Sequence, residues 1–132
     1  QDACMKQSLL QDKYPIFSAE IPKSESRYQT IAELMAHFQR CIDADERVQF
    51  ISVFDHYAHT QRIGGCIAPE IKAAQNIVFC FGLKLPNPFV LAVRPRAIGV
   101  ADMGEYFAIS FMEPPMEAAT QAMQAWVQAV RK

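Results

Sequence analysis

Asp55, His56 and His59 are the side chains best placed to do chemistry, because acid, base and metal-ligand groups stand together there. They follow an apolar run that ends at Phe54, so we expect them at the end of a strand. Histidines three apart can share a metal ion on a helical turn, with Asp55 as a third ligand or as the group that orients an imidazole. Cys66 could complete such a site with a soft thiolate.

The spacing of these residues matches no standard zinc motif, so a metal or haem site ranks behind two simpler roles. A carboxylate at a strand end commonly accepts N–H groups of the following loop, and a histidine beside it can hold that loop by a hydrogen bond. The sequence favours this structural role most, followed by contact with a small ligand. We predict no metal and no cofactor, and His56, His59 and Cys66 are the residues that a metal would use.

A catalytic thiol is a further hypothesis. Cys66 follows Gly64 and Gly65, and the N–H groups of a glycine turn can lower the pKa of a thiol. No base and no helix start accompany it, and no serine lies in a recognisable nucleophile elbow. The sequence therefore identifies no catalytic residue and favours a protein that is not an enzyme.

A second cluster of polar groups is basic. Arg94 and Arg96 flank a proline, and Lys84 lies upstream. Together with the N–H groups at the start of a helical turn over 88–93, these side chains could bind an anion, and the prolines make the segment rigid. The simpler interpretation is a solvated rim, because two arginines in a loop are common.

We combine the two clusters into one predicted ligand site, at the end of one strand and in the loop that follows another. Phe81-Gly82 marks the end of that second strand, where glycine permits a positive φ, and no phosphate-loop spacing is present. The predicted ligand-binding residues are Asp55, His56, His59, Phe81, Gly82, Pro86, Arg94 and Arg96.

The overall composition limits the class of protein. The 132 residues fit a single domain with one core, and 13 basic and 14 acidic side chains nearly cancel, which leaves no field to hold a nucleic acid. No apolar stretch approaches the roughly 20 residues that cross a bilayer, and the amino end lacks a basic start followed by an apolar stretch. We therefore expect a cytoplasmic protein with neither a nucleic-acid nor a membrane partner.

Four cysteines occur, at positions 4, 41, 66 and 80, and no two form a C-x-x-C pair. A chain with this share of apolar residues does not need disulfides, so we expect reduced thiols. Cys41 and Cys80 fall in a helix and a strand, where cysteines usually act as small buried apolar residues.

Short apolar runs predict the strands. The run 15–21 is bounded by prolines and is expected at a sheet edge. The runs 48–54 and 77–81 are apolar at successive positions, which is typical of strands buried on both faces. The runs 97–101 and 105–111 form a hairpin through a glycine-containing turn.

Helical periodicity predicts two long helices, over 27–43 and 115–130, each with one apolar stripe. The first helix can begin at Thr30 or one turn earlier at Ser26, because both open a capping-box pattern.

Three segments have weaker patterns. Pro69 at the start of 69–74 predicts a short helix, and Asn87-Pro88 predicts a helical turn over 88–93, with a strand as the alternative. Residues 1–13 are expected to form an arm that is frayed or briefly helical.

Two long helices can cover only one face of such a sheet, and three strands still carry apolar side chains on the other. An exposed apolar face of that size is unusual for a monomer, so we predict a homodimer through the sheet face. The alternative is that residues 57–75 and 83–96 fold back over that face.

The order of these landmarks resembles a bacterial family. A strand ending in Phe54-Asp55-His56 is followed by Phe81-Gly82, then by Leu85-Pro86-Asn87-Pro88, a helical turn and two strands. Over roughly residues 26–112 this pattern resembles the family called "domain of unknown function 302". The resemblance implies a TATA-binding-protein-like α+β fold, with helices on one side of an antiparallel sheet, and a dimer, but no reaction.

The fold class we predict is α+β, a mostly antiparallel sheet with two long helices on one face, in the order β-α-β-β-β-β-α with short helical turns. The loop at 57–75 and the Arg94-Pro95-Arg96 segment depart from the family pattern, which leaves a shared ligand open. The predicted function is that of a small soluble homodimeric domain that binds a small molecule or an anion. The alternatives are a metal- or haem-binding protein and a structural subunit of a larger assembly.

Overall fold

The computed structural model describes residues 5–132, which form one six-stranded antiparallel sheet with three α-helices. The mixed α+β class predicted from the sequence is confirmed. Along the sheet the strands lie in the order β1-β2-β6-β5-β4-β3. The strands are β1 (Lys6–Leu10), β2 (Tyr14–Pro22), β3 (Gln49–Asp55), β4 (Ala73–Cys80), β5 (Arg96–Asp102) and β6 (Tyr106–Met112). The helices are α1 (Ile31–Asp43), α2 (His56–Arg62) and α3 (Glu117–Gln128), with 3-10 segments at Lys23–Glu25 and Pro88–Val93.

The large apolar side chains of the central strands lie on a single face of the sheet, because side chains alternate along a strand. Phe79 in β4, Ile98 in β5 and Phe107 and Ile109 in β6 are fully buried there. The helices α1 and α3 pack over this face, where the rings of Phe79 and Trp126 meet edge to face at 5.4 Å. The two long helices therefore share one face of the sheet, which we call the helix face.

The start of α1 is fixed by a capping box at Thr30. The Thr30 hydroxyl accepts the N–H of Glu33 at 3.1 Å, and the Glu33 carboxylate accepts the N–H of Thr30 in return. This reciprocal pair satisfies two N–H groups that have no partner within the helix. Of the two starts that the sequence allowed, the one at Thr30 is correct.

The amino-terminal segment is a strand, which corrects the predicted frayed or helical arm over 1–13. Within the described residues, β1 pairs with β2 in a hairpin, with Leu10 opposite Tyr14. Gln11 and Asp12 make the turn with positive φ angles of 56° and 59°, a conformation for which sequences normally supply Asn-Gly or Asp-Gly. Since β1 covers one side of β2 and β6 the other, β2 is not the edge strand that its prolines suggested.

The segment after β3 differs from the prediction in two ways. The expected loop begins as α2, and Asp55 caps it by accepting the Ala58 N–H at 2.9 Å. The short helix predicted over 69–74 is absent from the described chain, because Ala73 and Ala74 already pair with β5. The extra strand β1 and the helix α2 also correct the predicted order of elements. The helical turn at 88–93 is confirmed as a 3-10 segment, capped by Asn87.

β3 is an edge strand, so its predicted burial on both faces is wrong. Only Phe50 of this strand is half-buried, and it packs against the core. A register shift between Phe50 and Ser52 turns the later residues, so that Phe54 lies on the face away from the long helices. The sequence could not place this bulge, because each residue of the run is compatible with either face.

The face opposite the helix face, which we call the open face, has a centre of small residues and a margin of larger ones. Ala97, Gly99, Ala108 and Ser110 lie half-buried at its centre. Four apolar side chains at the margin are 42–50% exposed, namely Leu10, Tyr14, Phe54 and Met112. The alternative cover for this face was the pair of segments 57–75 and 83–96. They lie at its corners, where α2 packs near Phe54 and residues 92–95 border a groove.

A buried histidine connects the two long helices. The Nε2–H of His37 in α1 donates to the Trp126 carbonyl at 2.8 Å, in the last turn of α3, where carbonyls lack a partner within the helix. On the other side of the ring, Tyr28 donates its hydroxyl to His37 Nδ1 at 3.1 Å while accepting from Arg40. Burial, followed by the charges of Arg40 and Arg27, lowers the pKa of His37 from its ordinary value of 6.5. The neutral imidazole is therefore the form that holds α1 to α3.

We expect the free energy of unfolding to fall as the pH is lowered through 6.5. The unfolded chain takes up a proton on His37 before the folded chain does, so each pH unit in that window costs at most about 1.4 kcal/mol. Above pH 7 the contribution is complete. Urea unfolding at pH 7.5, 6.5 and 5.5 measures the slope, and His37→Gln is expected to flatten it while the exposed His56→Gln leaves it unchanged. An identical slope in His37→Gln and the unsubstituted protein would contradict the assignment.

Candidate functional site

The structure divides the predicted ligand-binding residues into two groups at opposite ends of β4. Asp55 pairs with Gln75 near the start of that strand, whereas Phe81 and Gly82 follow its end. A strand rises roughly 3.3 Å per residue, so about 20 Å separates Gln75 from Phe81. The two groups therefore lie in different places on the molecule and do not form one site.

At the first place, the polar groups are engaged with their own helix. Asp55 caps α2, and His56 Nδ1 lies 3.0 Å from the Thr60 hydroxyl. His59 Nδ1 lies 3.3 Å from Arg62. These contacts agree with the structural role that the sequence favoured, in which a strand-end carboxylate and a neighbouring histidine hold the following segment.

The two histidines of this group lie edge to face. The His56 and His59 rings stand nearly perpendicular, with centroids 6.1 Å apart. Cys66 lies with His56 on the wall of a small pocket of about 150 Å³. Within residues 5–132, no three side chains of His, Cys, Asp or Glu converge on a point where an ion could bind.

At the second place, the structure forms a mostly apolar cavity of about 280 Å³, which we call the cleft. It lies between the end of β4, the loop 82–95 and the start of α3. The residues that line it are Phe81, Pro86, Val90, Val93, Arg94, Arg96, Pro114, Pro115, Met116 and Ala119. Four of the eight sequence-predicted residues are among them, and Gly82 adjoins them.

Arg96 is the polar group at the base of the cleft. It begins β5 opposite Phe79, and its guanidinium donates to the carbonyls of Val93 at 3.0 Å and Met112 at 2.7 Å. Its Nε is buried and has no hydrogen-bond partner among the described residues. Burial lowers the pKa of Arg96, but a guanidinium stays protonated in proteins. The guanidinium therefore brings a positive charge to the lining of the cleft, and two of its five N–H donors are used within the described protein.

Arg94 shapes the rim of the cleft. Its guanidinium donates to the Lys84 carbonyl at 2.7 Å and so folds the loop back on itself. A Cβ at Gly82 would lie 3.1 Å from Cys80 Sγ and 3.5 Å from Arg94 Nη1. The close approach at Gly82 is therefore to the Cys80 thiol, while the distance to Arg94 is that of ordinary van der Waals contact.

The amino end of α3 also borders the cleft. Met116 precedes the helix, and no side chain caps its first N–H groups. The positive end of the helix dipole therefore adds to the charges of Arg94 and Arg96. The lining contains no carboxylate to oppose them, and Glu117 in the first turn is exposed.

Six of the ten lining residues were not predicted from the sequence. Val90 and Val93 belonged to a segment of uncertain structure, and Met116 and Ala119 were assigned to the buried stripe of the last helix. The one available signal was Pro114-Pro115, which stops β6 and starts a helix close to the arginines. Only the three-dimensional structure shows that the helix start meets the loop after β4.

The family model described as "Family of unknown function (DUF6858)" matches residues 5–132. The chain belongs to this family. This match corrects the resemblance to the "domain of unknown function 302" family. Landmarks such as strand-Asp-His are common in α+β proteins and do not distinguish one family from another. No curated protein and no solved structure matches the chain. Membership of DUF6858 supplies no activity, so the function must be argued from the cleft.

Across residues 5–132, none of the helices combines the length and the apolar character that a bilayer crossing requires.

We expect Asp55→Ala to destabilise α2, because the N–H of Ala58 then loses its acceptor. The loss of an N-cap costs about 1 kcal/mol, and amide hydrogen exchange in α2 is the direct measurement. Asp55→Asn is the matched control, since its side-chain carbonyl can still accept. Equal exchange rates in Asp55→Ala and the unsubstituted protein would contradict the capping role.

Proposed function

We propose that this protein binds a small amphiphilic anion in the cleft, with the anionic head on Arg96 and the apolar body against Phe81, Val90 and Val93. The observation that carries the proposal is the Arg96 guanidinium, which is half-buried, faces no carboxylate and lines a cavity whose walls are otherwise almost wholly apolar apart from Arg94. The guanidinium indicates an anionic head for the ligand, and the apolar walls indicate an apolar body.

The energetics favour an anion at this position. Burying a guanidinium removes it from water, and the two carbonyls that it contacts carry only partial charge. A carboxylate paired with the Arg96 guanidinium would form charge-assisted hydrogen bonds and offset its charge. A neutral polar head would leave that charge uncompensated, so the site discriminates by charge.

The size and composition of the cleft limit the ligand further. Its volume of about 280 Å³ is near the lower end for small-molecule pockets, roughly 300 Å³, so it suits a compact ligand. The lining contains no serine, cysteine, histidine or carboxylate, and hence no nucleophile or general base. This composition supports binding rather than catalysis.

Calorimetry with octanoate and 1-octanol tests the proposal. We expect octanoate to bind and octanol to bind at least tenfold more weakly. Arg96→Lys keeps the charge but loses the planar set of guanidinium donors, and hydrogen bonds to charged groups contribute about 1.5–3 kcal/mol, which predicts a tenfold or larger loss of affinity. Failure of octanoate to bind the folded protein, or equal binding of octanol, would overturn the proposal.

A second pair of variants locates the site. Val90→Trp fills the cleft and is expected to abolish octanoate binding. Leu91→Trp is the matched control, because Leu91 is 61% exposed on the outside of the same segment. Binding that survives Val90→Trp would place the ligand elsewhere.

We also propose that two copies associate through the open face. Its only charged strand residues are Lys6 on β1 and Glu20 on β2, among the residues that the structure describes. They have opposite signs on neighbouring strands, so a two-fold arrangement can set Lys6 against the partner's Glu20. The marginal apolar side chains would then be covered.

Sedimentation velocity tests this association. We expect a dimer at micromolar concentration, a monomer for Ser110→Arg at the centre of the open face, and an unchanged dimer for Ala36→Arg on the exposed side of α1. A monomer at the highest soluble concentration, or a dimer that Ser110→Arg does not weaken, would refute an interface on this face.

A further inference from the structure

Residues 83–91, which we call the apolar loop, carry four highly exposed apolar side chains. Leu83 is 68% exposed, Leu85 72%, Phe89 80% and Leu91 61%. Single exposed apolar residues are ordinary on protein surfaces, but four within one short loop mark an interaction site.

The apolar loop is apolar on both of its sides. Pro86 and Val90 point into the cleft, whereas Leu85 and Phe89 project outward. The inner side is explained by the cleft. The outward side chains need a separate apolar partner, which would lie next to the proposed ligand site in the cleft.

Other exposed apolar side chains gather at this end of the sheet. Leu10, Met112 and Val93 border one shallow groove, and Val93 and Met116 border the cleft. The first three of these are 50%, 46% and 39% exposed, and Met116 is 45% exposed. Val93 and Met116 therefore extend the apolar surface of the loop, whereas Leu10 and Met112 belong to the margin of the open face.

The charges within this stretch of the chain have one sign. No aspartate or glutamate occurs between positions 71 and 101, while Lys84 and Arg94 lie in or beside the loop. Among the carboxylates on neighbouring elements, Glu113 accepts from Gln7, Asp45 pairs with the Arg47 that lies over the Phe81 ring, and Glu117 is exposed. Basic side chains beside protruding leucine and phenylalanine are the composition that binds an anionic lipid surface.

We infer that the apolar loop docks the protein onto a bilayer surface that contains anionic phospholipid. Leu83, Leu85 and Phe89 enter the interface while Lys84 meets the headgroups. A second copy is the weaker occupant, because these side chains project from a loop and do not form a flat complementary face. The inference rests on the proposed function, since a membrane is a source of the amphiphilic anions that the cleft would hold.

The expectation of no membrane partner rested on the absence of a segment long enough to cross a bilayer. A protein without such a segment can still bind at the surface of a membrane. The exposure of these four side chains is visible only in the structure, because the sequence alone allowed them to be core residues.

Co-sedimentation with vesicles tests the inference. We expect binding to vesicles of phosphatidylcholine with 30 mol% phosphatidylglycerol, at least fivefold weaker binding to pure phosphatidylcholine, and weaker binding at high salt. Leu85→Ser combined with Phe89→Ser is expected to weaken binding at least tenfold. The matched control is Ile51→Ser with Ile63→Ser, which removes two exposed apolar side chains elsewhere and is expected to bind as the unsubstituted protein does.

Three results would overturn the inference: no binding to either vesicle, equal binding to both, or self-association through the loop without vesicle binding. Octanoate calorimetry on the Leu85→Ser, Phe89→Ser protein separates the two proposals, because neither residue lines the cleft. In this variant we expect octanoate binding to survive while vesicle binding is lost. In the unsubstituted protein, octanoate binding without vesicle binding rejects the lipid surface alone, and vesicle binding without octanoate binding rejects the ligand in the cleft.

Discussion

The alternation of side chains along β5 determines where a positive charge is buried. It places Arg96 on the same face of the sheet as the buried Ile98 and Val100. The guanidinium must then lie at the border of the apolar core, where the carbonyls of Val93 and Met112 accept two of its donors. The loop after β4 and the start of α3 close around it, and this arrangement forms the cleft.

Much of the fold could be predicted because the main elements have strong local signals. The α1 stripe and the hairpin of β5 and β6 appear as predicted, and the cap at Thr30 is one of the two that the sequence allowed. The failures occurred where local signals are weak. The turn at Gln11 and Asp12 has positive φ angles, which these residue types do not predict. The bulge in β3 falls in an evenly apolar run, so the sequence gives no signal for it.

The site could be predicted only in part. Strand ends followed by glycine, proline and arginine pointed to the right loop, but the sequence could not show that Asp55 and Phe81 lie at opposite ends of β4. It also assigned Met116 and Ala119 to the core, since an apolar helix position looks the same whether it faces a neighbour or a cavity. Tertiary arrangement, which separates these cases, is not a local property.

The most direct measurement of the central claim is the proton resonance of Arg96 Nε–H in an NMR titration. If the cleft binds an amphiphilic anion, octanoate shifts this resonance in a saturable way, because a carboxylate paired with the Arg96 guanidinium changes the electronic environment of its Nε–H. Octanol leaves it in place. An unmoved Arg96 signal at octanoate concentrations that perturb residues elsewhere would contradict the account.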